Sequence, residues 1–409
     1  MKKKTLLAIS CILALGVVGC NKDSQMGNAS EGDGRPLIEH FTGEEVTVGE
    51  PRTSFDNLLI LNEGMMGSNN ASLDFFNPPT GQYILGAYMT ANSRLQLGDT
   101  ANDLLVLGDE IWIAVTGSDL VEVVDASTLV HKLSIPVTMP RYLATDGLAV
   151  YVTSYNGAYT VYTYNPEMGY SEITDYKNPK GAVLKIDART KRAVGQITVG
   201  YQPEGIAITK SGYMEYKLVV ANSGGIASQL PPDYSYDNTI SEIDLKSFSL
   251  SGTSTGVINA KEIFIDSKGD IWEHTLGNYD DVHSGLYKIT STGAERVTTE
   301  GCLLCAGIIA KDGDDFWILG TDDEYDWEKT DKTYYVYKIT DGVATKVNVP
   351  ISATYPYGIA VDPDTKDLYI TDGGTGGNLG TITCYSASNG YSKKWSTTTG
   401  VFPGHFLFL

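Results

Sequence analysis

The sequence predicts an all-β fold, a seven-bladed β-propeller whose C-terminal strand completes the first blade. Three observations carry this. First, one short pattern recurs seven times: alternating apolar residues, a turn-former, then small polar residues. The copies are LDFFNPPTG from Leu73, VEVVDAST from Val121, VLKIDART from Val183, ISEIDLKS from Ile240, LYKITSTG from Leu286, VYKITDG from Val336 and ITCYSASNG from Ile382. They lie roughly 45 to 60 residues apart, the period of a propeller blade. Second, an apolar run precedes each copy: LLILNEG (Leu58), IWIAVTGS (Ile111), VYVTSYNG (Val150), LVVANSGG (Leu218), IWEHTLGN (Ile271), FWILGTDD (Phe316) and LYITDGG (Leu368). Such runs read as buried central strands, and the Gly, Asn, Asp or Ser after each reads as the start of a loop. Third, inner strands with small residues come before the central ones, clearest at 143–147, 206–209, 263–266, 308–311 and 359–362. Six blades have an inner strand upstream, whereas only a polar stretch precedes Leu58. Residues 403–409 (PGHFLFL) match the inner-strand pattern and are expected to fill that place, which leaves no open edge. A β-sandwich is the competing reading, and its spacing would be coincidental.

In chain order, Lys2, Lys3 and Lys4 precede an apolar run from Leu6 to Val18 that is short for a bilayer span. Residues 1–19 therefore read as a signal peptide. The run ends in VVGC, which resembles the bacterial lipobox, so Cys20 is expected to be the lipid-bearing first residue of the mature chain. Residues 20–52, rich in Gly, Ser, Asp and Glu, read as a flexible tether, and 53–409 as one propeller domain. The NKDS that follows Cys20 faintly resembles the charged signal of surface-exported lipoproteins of the Bacteroidetes. The expected location is the outer membrane, lipid-anchored and facing the exterior.

The chain carries a formal charge of −20, and a leader with three lysines and no acids would leave −23. That balance argues against nucleic acid, whose phosphates would repel it. No His-Glu-x-x-His and no phosphate-binding glycine loop is present, so the chain reads as non-catalytic. Most aspartates fall at turns, where they cap backbone groups. The acidic run Asp322, Asp323, Glu324 and Asp326 lacks the ligand spacing of a calcium loop and reads as solvated. Cys302 and Cys305 have no second Cys or His pair, so no metal site is expected. They read as apolar filler or a local staple. His274 and His283 read as hydrogen-bonding rim residues rather than ligands.

Function is expected in the B–C loops, which meet the D–A links at one mouth. Residues 155–181, 222–238, 274–284 and 321–333 are long insertions there, rich in tyrosine. Tyr and Trp offer flat apolar area with a polar tip, suited to a large, flat ligand bearing amides or hydroxyls. Tyr151, Tyr287, Tyr337 and Tyr369 read as ordinary strand residues. The candidate ligand-binding residues are Met65, Asn69, Arg141, Tyr142, Tyr155, Glu204, Asn222, His274, Trp327, Tyr357 and His405.

The sevenfold turn pattern, LGDTAND at 97–103 and LNEG at 61–64 together resemble the YncE-like propeller lipoproteins of the Bacteroidetes, over residues 53–409. Within that group the chain looks like the BtuG-type surface proteins. The resemblance implies binding of cobalamin (vitamin B12) or a related corrinoid, with no other cofactor required. It also implies delivery to a BtuB-like, TonB-dependent outer-membrane transporter. No family residue is carried over position by position. The alternative is a non-catalytic cell-surface propeller for protein or glycan interaction, and a hydrolase or lyase ranks below both.

Overall fold

Every central strand is apolar on both faces, and each face packs on a different neighbour. In the computed structural model this produces seven antiparallel sheets in a ring. The structure describes residues 57–165, 170–212, 215–225, 236–278, 281–297, 305–321 and 333–409, together with Glu44–Glu45. From the axis outward, blade 1 runs Pro403–Phe408, Leu58–Asn62, Ser72–Asn77 and Gln82–Ile84. Blade 2 runs Ala101–Leu107, Glu110–Val115, Leu120–Asp125 and His131–Pro136. Blade 3 is Pro140–Thr145, Ala149–Ser154, Lys180–Asp187 and Arg192–Tyr201, and blade 4 is Pro203–Gly212, Glu215–Asn222, Thr239–Asp244 and Ser249–Thr255. Blade 5 comprises Ala260–Ile265, Ile271–Thr275, Gly285–Thr290 and Gly293–Arg296. Blade 6 comprises Cys305–Asp312, Asp315–Thr321, Tyr334–Thr340 and Val343–Val347. Blade 7 comprises Pro356–Val361, Leu368–Asp372, Thr381–Ser386 and Ser392–Thr398.

The period of two along a strand sends alternate side chains to opposite faces. Leu58 and Ile60 therefore join the apolar cluster against blade 7, while Leu59 and Leu61 join the one against blade 2. The same alternation sends Ile111 and Ile113 to blade 1 and Trp112 and Ala114 to blade 3. One cluster fills each of the seven blade interfaces.

The repeat carries a further device on the turn side. In five blades an aromatic near the start of the central strand (Trp112, Tyr151, Trp272, Trp317 and Tyr369) is buried. A turn aspartate accepts a hydrogen bond from three of them: Asp146 from the Tyr151 hydroxyl (2.9 Å), Asp266 from the Trp272 Nε1 (3.0 Å) and Asp362 from the Tyr369 hydroxyl (3.4 Å). The same aspartates cap backbone N–H groups, Leu148 and Ala149 for Asp146 and Lys268 and Asp270 for Asp266. The lysine of the third strand lies over the ring: Lys185 over Tyr151, Lys288 over Trp272 and Lys338 over Trp317, at 5.3–5.7 Å. The recurrent Lys and Asp of the sequence thus clamp the aromatic together in blades 3 and 5.

The ring closes as expected. Pro403–Phe408 pairs antiparallel with Leu58–Asn62, Phe406 opposite Ile60 and His405 opposite Leu61. Backbone bonds between Asn57 and Leu409 finish one end, and Glu63 N–H to Phe402 O (2.8 Å) the other. Asp74 locks the seam by accepting from the Tyr83 hydroxyl and from the N–H groups of Gly86 and Gly400.

Two expectations change. The stretch 20–52 is not tether throughout, because Glu44 and Glu45 pair with Tyr83 and Gln82 and add a fifth strand to blade 1. An outer strand offers free backbone groups to any extended segment that can reach it. The insertion of blade 3, read as loop, holds a two-stranded hairpin, Tyr159–Asn165 with Tyr170–Lys177. The leader, Cys20 and Cys302 lie outside the described residues.

Deleting residues 403–409 strips blade 1 of its inner strand and exposes the faces of Leu58–Asn62. The expected loss is on the order of 5 kcal/mol or more, seen as a lower unfolding temperature and self-association in gel filtration. Unchanged melting of the truncated chain would refute the closure.

Candidate functional site: the polar mouth of the ring

In a four-stranded meander the A–B and C–D turns lie at one end and the B–C loops and D–A links at the other. The second end gathers the first residues of the inner strands and the last residues of the central ones. Here these residues are charged. Glu63 directly follows the central strand of blade 1, Asp103 lies in the inner strand of blade 2, Arg141 and Tyr142 in that of blade 3, Glu204 in blade 4, Lys261 and Glu262 in blade 5, Tyr357 in blade 7 and His405 in blade 1.

Three connected clusters organise them. Arg141, only 3% exposed, donates from Nε to Glu204 Oε2 (2.9 Å) and from Nη2 to Oε1 (3.3 Å). Its guanidinium lies 4.9 Å from the Tyr155 ring centre, and the Tyr155 hydroxyl donates to Glu204. Burial works against the Arg141 charge, but Glu204, Tyr155 and Tyr142 together outweigh it and raise its pKa. Second, Nε2 of His405 lies 3.2 Å from Glu63 Oε1, and the Tyr357 hydroxyl donates to Glu63 Oε2 at 2.6 Å. Burial opposes ionisation of Glu63, yet His405, Lys261 and Tyr357 together hold its carboxyl below the usual range. Third, His274 Nδ1 lies 2.7 Å from Glu262 Oε2; burial opposes ionisation of Glu262, but His274, Lys261 and His405 together hold its pKa below the usual range.

Asp103 differs. Its carboxylate accepts the N–H groups of Leu104 and Leu143 (2.9 and 2.8 Å), but no described cation pairs with it. Burial pushes its carboxyl up to about 6, against the field of His405. The Tyr142 ring meets the His405 ring edge-on at 6.5 Å. The two rings come from blades 3 and 1, on either side of blade 2.

Beside this charged floor is an aromatic shelf at the seam of blades 7 and 1. Tyr357 stacks on Phe402 (5.1 Å, 24°), and Tyr355 lies 6.3 Å from Tyr357, all three partly exposed. A methyl group on Gly373 would come within 2.9–3.1 Å of all three rings, so only glycine fits beneath them. Met65 extends the shelf over Gly377.

The structure thus joins Arg141, Tyr142, Tyr155, Glu204, Tyr357 and His405 in one mouth, with Met65 at its rim. Asn69 is exposed in the same face, in a left-handed conformation (φ 49°), with its amide donating to Gln96. Asn222 is 1% exposed, and its amide holds Thr239, Ser241 and the Gly200 N–H, so it braces blade 4 from inside. His274 is not a loop residue. It lies in the strand Ile271–Thr275, pairs with Leu286 and is fully buried behind Glu262. Trp327 and the acidic run at 322–326 lie outside the described residues. The strand tyrosines 151, 287, 337 and 369 are buried, as read. Among the described residues no group of three His, Cys, Asp or Glu is placed to hold a metal ion.

The candidate set read from the sequence lacks Asp103, Glu262, Glu63 and Lys261. A signal existed. LNEG and LGDTAND, quoted for their resemblance, contain Glu63 and Asp103. An acid in an otherwise apolar inner strand marks a side chain turned to the axis.

No family model and no curated protein matches the chain. Among solved structures it is similar to a hypothetical selenium-binding protein from Sulfolobus tokodaii, with a TM-score of 0.59 and 12% identity over 87% of this chain and 94% of that one. It is also similar to a quinonprotein alcohol dehydrogenase-like protein from Bacteroides thetaiotaomicron, with a TM-score of 0.55 and 13% identity over 86% and 78%. The likeness is one of fold: this chain is a seven-bladed β-propeller. At such identity it carries no activity across.

Two outcomes test the buried charges. Arg141→Met leaves Glu204 buried and uncompensated and is expected to destabilise by about 3–5 kcal/mol, with Glu204→Leu in the same chain restoring most of it. Additive losses in thermal melts would refute the pairing. Glu273, 1% exposed, accepts only the Val257 N–H (2.7 Å), and burial pushes its carboxyl up to about 8. A raised acid favours the protonated folded state. Its contribution is therefore whole below the unfolded pKa of about 4.3 and falls by about 1.4 kcal/mol per pH unit towards 8. Glu273→Gln is expected to melt higher than the parent at pH 8 and equally at pH 4, and parallel pH profiles would contradict this.

Proposed function

We propose that this chain is a non-catalytic, lipid-anchored surface protein that captures cobalamin or a related corrinoid at the propeller mouth and passes it to an outer-membrane transporter. The observation that carries the reading is the aromatic shelf of Tyr355, Tyr357 and Phe402 standing beside a floor of charged groups. A corrin is broad and flat, with apolar faces and a fringe of amides. One face packs on the shelf, and the fringe meets donors and acceptors on the floor. The floor is built on strands of a closed ring, and the shelf on Tyr357 of an inner strand with Tyr355 and Phe402 directly before inner strands, so little freedom is lost on binding, which favours tight capture. The corrinoid itself is named by the resemblance to the BtuG-type proteins. The N-terminal segment meets the disc at the outer edge of blade 1, away from the axis, which suits an anchor that leaves the mouth open.

Mixing the lipid-free chain (residues 21–409) with an equivalent of cyanocobalamin and desalting it is expected to give a pink protein fraction. A colourless one sinks the reading and leaves a propeller for protein or glycan contact. Tyr357→Ala removes the middle of the shelf and is expected to weaken retention at least tenfold, about 1.4 kcal/mol. Unchanged affinity would place the ligand on another rim.

A further inference from the structure

At the axis one polar atom is left over. The Tyr142 hydroxyl is shielded from solvent and has no hydrogen-bond partner, in a residue 7% exposed. Its surroundings are polar: the charges acting on it belong to Glu262, Glu204, Arg141 and Asp103, from blades 5, 4, 3 and 2. Buried hydroxyls in native proteins are ordinarily paired, so this one is aimed at something the chain itself does not supply.

The neighbours show what would satisfy it. Glu204 and Arg141 are committed to each other. Asp103 keeps about half of its four acceptor positions after the two backbone bonds, and Glu262 gives only Oε2 to His274. Lys261, partly buried, acts on both Glu63 and Glu262, yet has no ion-pair or hydrogen-bond partner among the described residues. The unfilled capacity is thus two donors, the Tyr142 hydroxyl and the Lys261 ammonium, and two acceptors, the carboxylates of Asp103 and Glu262.

We infer that these four side chains form a subsite for one primary carboxamide of the ligand. Its carbonyl oxygen accepts from Tyr142 and Lys261, and its NH2 donates to Asp103 and Glu262. A carboxylate in that place would face Asp103, Glu262 and Glu63, and an ammonium would face Lys261 and Arg141. A neutral amide offers two lone pairs and two N–H groups and matches both sets without added charge. The inference rests on the corrinoid reading, since the corrin fringe supplies such arms, and it names the place where one of them enters the axis.

The test measures affinities of the wild-type chain, Tyr142→Phe and Asp103→Asn for cyanocobalamin and for its monocarboxylic acids, each with one peripheral amide hydrolysed. Tyr142→Phe keeps the ring and removes an unpaired hydroxyl, so an unchanged melting temperature is expected and controls for folding. One acid isomer is expected to bind the wild type at least tenfold more weakly than cyanocobalamin. Tyr142→Phe should weaken cyanocobalamin about tenfold and that isomer little, while Asp103→Asn should narrow the difference between the two ligands. If the wild type binds cyanocobalamin but Tyr142→Phe binds it equally and all acid isomers match the parent, the subsite is refuted and capture stands. If the wild type binds no cyanocobalamin, the capture reading fails and takes the corrin-amide subsite with it.

Discussion

No blade of this protein can bury both of its faces alone. Its central strands are apolar on the two sides, and a sheet so built must find a neighbour on each. Only a closed ring gives every sheet two neighbours, which makes the pairing of Pro403–Phe408 with Leu58–Asn62 the contact on which the others depend. Without it the clusters against blades 7 and 2 both lose a wall. At the seam Asp74 gathers N–H groups from both of the links that flank blade 1.

The same closure makes the mouth. Inner strands that meet at an axis leave no room for large apolar side chains on every blade, and what points inward here is charged. Arg141 with Glu204, His405 with Glu63 and His274 with Glu262 meet the cost of burial by pairing, as buried charges must. The exceptions are informative. Asp103, Lys261 and the Tyr142 hydroxyl are held by rigid strands with capacity unfilled, and they lie beside an aromatic shelf. Rigid placement of unfilled polar groups next to flat apolar area is what a binding mouth requires and what a packed core avoids.

Blade number, strand order and ring closure were legible in the sequence because they rest on period and alternation, which are local properties. The turn aspartates were legible as caps, though their hold on Tyr151 and Trp272 was not, since it spans a turn and a strand. Of the candidate residues, those at inner-strand starts (Arg141, Tyr142, Glu204, Tyr357 and His405) converged, because a position in the repeat sets a position on the ring. His274 did not behave as a loop residue, because its strand continues through Thr275. Asn222 resembled a rim amide by composition and proved to be a brace.

By itself the sequence determined that there are seven units, that each is a four-stranded sheet and that the two ends of the chain share one. Those follow from side-chain alternation, which a strand reads along its own length. Only the tertiary structure decided which charges pair and which stay open. That choice depends on side chains from blades 1, 2, 3, 4 and 5 meeting at one axis, more than 300 residues apart in the case of Glu63 and His405. No local pattern records such a meeting, because the axis belongs to the closed ring and not to any one blade.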